Sequence, residues 1–446
     1  MKKPIKRIYL DHAAAAPMDK RVKKAMEPFW TENFGNPNAL YKEGLTARNA
    51  VETAREDVAK VLGARAKEII FTAGGTESDN LAIFGVTYAI IGGIGKLTSL
   101  RTDEEGNPTE AKFSNSSPAS QNFALPRPHI ITTKFEHHAV LNTCKFLEKQ
   151  GFEVTYLDVG KDGVVNPEDV KKALKSETIL VSIMYANNEI GTIQPIREIA
   201  KVIRDFKKKG GIIGSAKQNF SLPRLNPIFP LFHTDACQVP GYLDLNVERL
   251  GVDLMTINGS KIYGPKGIGM LYVKNGIKLE PLLYGGEQEK KLRPGTENVP
   301  AIVGLAEALK IADQDREKES ARLVKLRDYF TGRILNEIPK TVLNGHPAQR
   351  LPNNINVSIL DAEGESIVLY LDEAGVACST GSACTSESLE PSHVILAIGK
   401  PHAYAHGAMR FSLGRSTTKK DIDYVMKVLP DIIKKLRMFS PTNIKI

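Results

Sequence analysis

The chain has 446 residues, 42% hydrophobic and 25% charged, which fits a folded globular protein with more than one core and excludes a disordered or fibrous one. Lys and Arg number 60 against 51 Asp and Glu, a formal charge of +9, but Lys207–Lys209 and Lys434-Lys435 sit in helix-like stretches, and without a basic stripe among aromatics no direct nucleic-acid binding is expected. Four cysteines (Cys144, Cys237, Cys378 and Cys384) form neither a disulfide framework nor a zinc pattern, and no apolar run suits a membrane span or signal peptide, so a cytoplasmic protein is expected.

In chain order, Val22, Met26 and Phe29 fall on one helical face of Met18–Trp30, and Leu45, Val51, Val58 and Leu62 continue the period to a stop at Gly63. A β-rich run, Glu68–Thr72, leads through Ala73-Gly74-Gly75-Thr76 into a helical stretch to Ile91. Strand, glycine turn and helix start is the order that offers free backbone N–H groups to a phosphate, although glycines are common in such turns. Strands are then predicted at His129–Thr133, Phe152–Leu157, Ile179–Tyr185, Phe232–Ala236, Asp253–Ile257 and Ile268–Val273. Helices are predicted between them at Ala139–Gln150, Pro167–Lys175 and Pro195–Lys209. This alternation specifies an α/β fold with a mostly parallel central sheet and helices on both faces. Beyond a long helical stretch, Pro300–Ile338, short strands and helices mix through Ile355–Ile359, Ile367–Glu373, Val376–Cys378, Met409–Leu413 and Asp421–Arg437, as in a smaller α+β domain. The expected division is a large domain of residues 17–290 and a small one of residues 1–16 and 291–446. His402 and His406 have the spacing of a helical metal pair but lack the glutamate of the zinc-protease motif, so no metal is expected there.

Two stretches break the rhythm. Residues 92–128 are rich in Ser, Asn, Thr and Pro, and residues 214–231 carry Pro223, Pro227 and Pro230. Each precedes a strand, so both are expected at the amino-terminal edge of the sheet, away from ligands that bind beyond the carboxyl ends.

Those carboxyl ends collect the reactive side chains. Gly75 and Thr76 follow Thr72, Glu136, His137 and His138 follow Thr133, and Asn187, Asn188 and Glu189 follow Tyr185. Asp235 and Gln238 close the next strand, and Asn258-Gly259-Ser260 brings Lys261 to the tip of a tight connection. A lysine among small donors suits a Schiff base beside an anion site, while a surface hairpin with a solvated lysine has the same local pattern. Cys384 lies in STGSACTS, a stretch of small polar residues that suits an exposed reactive thiol, whereas Cys378 ends an apolar strand and reads as core.

The motifs TAGGTESDN (72–80), EHHAV (136–140), NNEIG (187–191), HTDACQ (233–238), NGSKIYGPKG (258–267), RPGTENV (293–299), STGSACTSESLEP (379–391) and MRFSLGR (409–415) together resemble a cysteine desulfurase of the class V aminotransferase group. The resemblance covers nearly the whole chain outside the two insertions. It implies a fold type I, pyridoxal 5'-phosphate-dependent homodimer that converts L-cysteine to L-alanine and an enzyme persulfide. Selenocysteine lyase or another class V enzyme is the alternative on the same scaffold.

By that resemblance Lys261 holds the cofactor covalently and moves the substrate proton, Asp235 pairs with the ring nitrogen, and His137 stacks on the ring. Gln238 and Asn188 bond the ring oxygen and the substrate side, and Arg410 takes the substrate carboxylate. Gly75, Thr76, Asn258, Gly259 and Ser260 surround the phosphate, with Thr296 supplied by a second subunit. Cys384 receives the sulfur and passes it to an iron–sulfur scaffold protein or a tRNA-thiolation carrier. The chain departs from its relatives in having Ser260, where histidine usually precedes the lysine, and it ends soon after Asp421–Arg437.

Overall fold

In the computed structural model, residues 7–98, 127–209, 229–381 and 391–439 are described, with the side chains of 91–98 left aside. The strands are β1 (Ile8–Tyr9), β2 (Ile69–Thr72), β3 (His129–Thr133), β4 (Glu153–Leu157), β5 (Thr178–Ser182), β6 (Leu231–Asp235), β7 (Leu254–Asn258), β8 (Gly269–Val273), β9 (Thr341–Leu343), β10 (Asn354–Ile359), β11 (Val376–Ala377) and β12 (Ala408–Ser412). Seven of them pair in the order β2-β8-β7-β6-β5-β3-β4. All neighbours from β7 to β4 are parallel, and β8 runs against both β7 and β2.

Alternation along the strands sends neighbouring side chains to opposite cores. Ile70, Ile130, Leu180 and Leu254 pack with the helices Gly75–Thr98 and His138–Lys149. Phe71, Ile131, Val181 and Met255 pack with Lys42–Leu62, Pro167–Ala173, Ile196–Lys208 and the first turns of Val299–Glu337. Full burial of each such side chain contributes roughly 1.5–3 kcal/mol, which is why a sheet covered on both faces needs unbroken apolar runs.

A third core lies around the antiparallel sheet β12-β10-β9. Later residues of the long helix, Leu323, Phe330 and Ile334, enter it together with Ile422, Val425 and Leu429 of Lys419–Phe439. The N-terminal strand joins it from afar, as Ile8 and Tyr9 pair with Val376 and Ala377.

The observed elements correct several details. Met18–Trp30 is two helices, Lys20–Met26 and Pro28–Thr31, because Pro28 has no N–H to continue the first. Leu45 is 43% exposed, so only Val51, Val58 and Leu62 of the predicted stripe are buried. The Gly63 stop is found in the left-handed region at φ 63°. The helix after Gly75 runs on to Thr98, into the first insertion, whose residues 99–126 lie outside the described ones, as do residues 210–228 of the second and its approach. Strands β1 and β9 and the short helices His393–Ala397 and His402–His406 had no legible periodic signal.

One sheet edge is closed by side chains. Arg55 makes a two-pronged ion pair with buried Glu289 at 2.8 and 2.6 Å, and the Phe71 N–H donates to the same carboxylate at 2.8 Å. Arg55 and Lys290 both donate to the Ile69 carbonyl, at 3.0 and 3.2 Å. Glu289, Lys290 and Lys291 reach these partners through three consecutive left-handed residues, with φ of 43°, 59° and 67°. Each costs about 1–2 kcal/mol relative to a right-handed residue, which the buried pair and its shared hydrogen bonds offset.

Candidate active site

The carboxyl ends of β2 and β7 meet around a cavity of ≈ 630 Å³ lined by Gly75, Thr76, Asn258 and Ser260, with Ala14 and Ala15 closing one side. The helix Gly75–Thr98 points its start at this space, and the first N–H groups of a helix have no carbonyl of the preceding turn to bond. A side chain at position 75 is excluded, since its Cβ would stand 2.7 Å from Cys237 Sγ. Gly269 is excluded from bearing one too, because a Cβ would press 2.6 Å from the Gly74 carbonyl carbon.

Lys261 ends a single 3-10 turn, Gly259–Lys261. The turn is fixed by Asn258 Oδ1, which accepts from both Ser260 N and Ser260 Oγ at 3.1 Å, and by Gly259 N donating to the Ile268 carbonyl at 3.0 Å. Lys261 Nζ donates to the Ala14 carbonyl, so the lysine is turned into the protein and is not a solvated hairpin tip. Gln238 Nε2 donates to the Ala13 carbonyl at 3.1 Å, and Ala16 N to the Ser260 carbonyl at 2.9 Å. The segment Leu10–Ala16 is therefore a wall of the site that sequence reasoning missed. Its signal is four consecutive alanines, Ala13 to Ala16, side chains small enough for main chain to approach Lys261.

Asp235 ends β6 with its Oδ1 accepting the Cys237 N–H at 2.8 Å. Period-2 alternation puts His233 and Asp235 on the same face, beneath the helix that begins at Gly75. There His233 bridges Ser182 Oγ at 2.9 Å and Thr256 Oγ1 at 3.0 Å, with Asp79 Oδ1 3.7 Å from its Nε2. Burial pushes Asp79 well above the usual carboxylate range, and the Asp235 charge adds to it. Burial also holds the His233 imidazole down at about 4, partly opposed by Asp235. Cys237 is pushed up by burial and then by the two carboxylates, so it is no nucleophile.

The His233 shift has a measurable consequence. Its folded value lies below the ordinary 6.5, so the unfolded chain binds more protons between pH 6.5 and 4. Stability is therefore complete above about pH 6.5 and is lost as pH falls toward 4, at up to ~1.4 kcal/mol per pH unit. Glu136, pushed up to about 8 by burial, acts in the opposite sense between pH 4.5 and 8, and is the same in both proteins compared. His233→Gln should flatten the decline of the melting temperature from pH 6.5 to 4.5. Parallel profiles for the two proteins would show that this imidazole does not titrate on unfolding.

His137 caps the helix His138–Lys149, its Nδ1 accepting from Ala139 N at 3.1 Å. The buried Glu136 carboxylate holds Met184 N at 3.0 and 3.1 Å and Thr133 Oγ1 at 2.7 Å, which fixes the turn before His137 to the strand β5 exit. Asn188 is half-buried, and its carbonyl accepts Arg410 Nη1 at 3.0 Å. Arg410 is almost fully buried on β12, with Nη2 2.9 Å from Asp11 and Nε lacking a partner among the described residues. Thr296 is exposed and does not line the cavity. Cys384 lies outside the described residues, between Gly381 and Pro391, and Cys378 is buried as expected. Among the described residues no cluster of His, Cys, Asp and Glu could hold a metal, and no helix is long and apolar enough to cross a membrane.

The Aminotransferase class-V family profile matches residues 8–99, 115–213 and 230–425, leaving gaps where the two insertions lie. The chain is 48% identical over 434 residues to a cysteine desulfurase IscS of Dictyoglomus turgidum, covering 97% of this chain and 96% of that one. It is 46% identical over 440 residues to a cysteine desulfurase IscS of Methanosarcina thermophila, covering 99% and 95%. Among solved structures it resembles a NifS-like protein (TM-score 0.79, 33% identity, covering 96% of this chain and 100% of that one). It also resembles SspA in complex with cysteine (TM-score 0.70, 34% identity, covering 91% and 98%). The fold, the strand-end site and these likenesses together place the chain in the class V aminotransferase family, among its cysteine desulfurases.

Proposed function

We propose that the protein is a pyridoxal-phosphate-dependent cysteine desulfurase that converts L-cysteine to L-alanine and keeps the sulfur as a persulfide on Cys384. The observation that carries this reading is Lys261 turned inward to the carbonyl of Ala14, a residue that lines the cavity together with Ser260 and a Gly75 helix start that has no room for a side chain. The donor set fits a phosphorylated aromatic cofactor. Thr76 and Ser260 offer hydroxyls, Asn258 an amide and Gly75 its main chain for the phosphate, while the Gly259 N–H is taken by the Ile268 carbonyl and shapes the turn, and Asp235 offers a carboxylate for a ring nitrogen. When bound, pyridoxal phosphate supplies an electron sink for charge developing beside the substrate amine.

The chain's own groups do the rest. Lys261 would hold the cofactor and carry the substrate's proton on Nζ, and His137 would serve proton transfer. Gln238 would help to hold the cofactor and Asn188 the cofactor and the substrate. Arg410 binds the substrate carboxylate by exchanging its contacts with Asp11 and the Asn188 carbonyl, with Nε as a further donor. Cys384 attacks the substrate sulfur: an S–S bond forms, the carbon–sulfur bond breaks with its electron pair left on carbon, and that carbon gains a proton. The product sulfur leaves for an iron–sulfur scaffold protein or a tRNA-thiolation carrier.

The working form is proposed to be a cytoplasmic homodimer whose exposed Thr296 completes the other subunit's phosphate site. Each subunit is proposed to comprise a large domain, residues 17–290, and a small one, residues 1–16 and 291–446, which bears Cys384. The pairing of β1 with β11 supports counting the N-terminus with the latter.

The test is alanine formation from cysteine by the purified, cofactor-loaded protein without a keto acid. Alanine with equimolar sulfide under dithiothreitol is expected. Turnover only when a keto acid is present would make the protein an aminotransferase, and a preference for selenocysteine would make it a lyase of that substrate.

Ser260 tests the phosphate assignment. Its hydroxyl lines the cavity and can exchange its bond to Asn258 Oδ1 for one to a phosphate oxygen. A hydrogen bond to a charged group contributes about 1.5–3 kcal/mol, so Ser260→Ala should weaken pyridoxal phosphate roughly ten- to a hundredfold in a titration of the apo-protein. Equal affinities would leave the phosphate to Thr76, Thr296 and main-chain donors.

A further inference from the structure

Arg410 is tied to two distant parts of the chain. Its neighbours Met409 and Phe411 enter the core around the small sheet, so alternation sends Arg410 to the opposite face. Its main chain lies opposite Asn356 of β10 and exchanges hydrogen bonds with Ser379 at 2.7 and 3.2 Å. The residue is only 2% exposed, and its guanidinium donates from Nη1 to the Asn188 carbonyl at 3.0 Å and from Nη2 to Asp11 Oδ1 at 2.9 Å. Among the described residues Asp11 and Arg410 form no other ion pair.

The Asp11 carboxylate is kept in place by the main chain around it. Ser412 N donates to the Leu10 carbonyl at 2.7 Å and His12 N to the Ser412 carbonyl at 3.3 Å, one residue to each side of Asp11. The Asp11 carbonyl accepts the Ala14 N–H and the Tyr9 hydroxyl, both at 3.1 Å, and the Ala14 carbonyl in turn takes Lys261 Nζ. One turn therefore presents a carboxylate to the arginine and a carbonyl to the lysine. A buried guanidinium needs a counter-charge. An arginine that binds a substrate carboxylate can take that charge from the substrate, so a carboxylate of the protein fixed on the same guanidinium has a further effect.

We propose that Asp11 competes with the amino acid's carboxylate for Arg410 and so limits how tightly substrate and product are held. An arriving carboxylate either displaces Asp11 from Nη2, which strips a poorly exposed charge of its partner, or shares the guanidinium through Nε and faces a like charge. Both routes weaken binding. They weaken it alike for cysteine and alanine, which carry the same carboxylate, so the chemical step is left alone and alanine departs sooner. Asp11 acts through Arg410 and is a positioning residue. The inference rests on the reading of Arg410 as the carboxylate site, and the experiment separates the two.

The full chain is loaded with pyridoxal phosphate, as wild type, Asp11→Asn, Asp11→Ser and Arg410→Gln. L-Alanine is titrated and its half-saturating concentration read from the change in cofactor absorbance. L-Alaninamide, which has the same amine and methyl group but no carboxylate, is titrated in parallel. Asp11→Asn keeps the shape and an acceptor for Nη2 while removing the charge. It should bind alanine roughly tenfold more tightly, as for a like charge removed from a poorly solvated site, with alaninamide moved by less than about twofold. Its KM for cysteine should fall by a similar factor with kcat no higher than that of the wild type. Arg410→Gln should lose most of the affinity for alanine and keep that for alaninamide.

Alanine affinity that is unchanged or weaker in the Asp11 variants would overturn the proposal. So would alaninamide that tightens in step with alanine, since Asp11 would then act on the amine or the cofactor. Loss of the cofactor from both Asp11 variants would overturn it as well, making Asp11 a prop of the turn that meets Lys261. Wild-type affinity for alanine in Arg410→Gln would refute the carboxylate reading of Arg410 and the proposal with it. Loss of alanine from Arg410→Gln with no change in Asp11→Asn would refute the role of Asp11 alone.

Discussion

Lys261→Ala, purified and incubated with pyridoxal phosphate, is expected to show neither the visible absorbance of covalently held cofactor nor any alanine formation. Both losses have one cause. Lys261 Nζ is drawn to the Ala14 carbonyl at the cavity wall, and Lys266, which lines the cavity itself, lies past the turn that fixes Lys261. Without an amine there, the cofactor is held by phosphate and ring contacts alone and leaves on dialysis. The affinity remaining in the variant measures the contribution of Gly75, Thr76, Ser260 and Asp235. Undiminished absorbance after dialysis would mean that another amine does the work and that Lys261 is misassigned.

Cys384→Ser is expected to separate binding from sulfur transfer. The variant keeps every described group of the cavity, so it should hold the cofactor and change its absorbance on addition of cysteine as the wild type does. Alanine and sulfide formation under reductant should fall roughly a thousandfold or more, the scale on which removing an activated nucleophile acts. A serine oxygen cannot accept a sulfur atom as a persulfide. Cys144, Cys237 and Cys378 cannot replace the thiol, because all three are buried and burial pushes each of them up, Cys378 to about 12. Normal turnover by this variant would sink the persulfide mechanism outright.

The large sheet was legible because its signals are local. Unbroken apolar runs such as Ile69–Thr72 and Thr178–Ser182 are buried on both faces. Gly75, Asp235 and Lys261 could be found because strand exits in such a sheet converge on one rim. Leu10–Ala16 could not, since an irregular segment has no period and acts through contacts with Gln238, Ser260 and Lys261 more than two hundred residues away. The buried group behind Asp235 was hidden for a related reason. Asp79 sits inside a motif that reads as a helix start, and its partners His233 and Thr256 become visible only when the strands are laid side by side. Leu45 shows the reverse error, an apolar residue with the right spacing that stays 43% exposed among the described residues.

The lock formed by Arg55, Glu289 and Lys290 bears on how copies of this protein behave in a crowded solution. β2 is an outermost strand, and the Phe71 N–H and Ile69 carbonyl are groups through which an unrelated strand would add itself to the sheet. Both are occupied by charged side chains of the same molecule, which an incoming strand would have to displace into a half-made interface. The opposite margin, β4, opens on Glu153 with Lys175 paired to it, a charge at the place where sideways growth would begin. A seven-stranded sheet with apolar strands is thereby kept from becoming a template for intermolecular strand addition, and the left-handed turn at Glu289–Lys291 is the conformational cost of that protection.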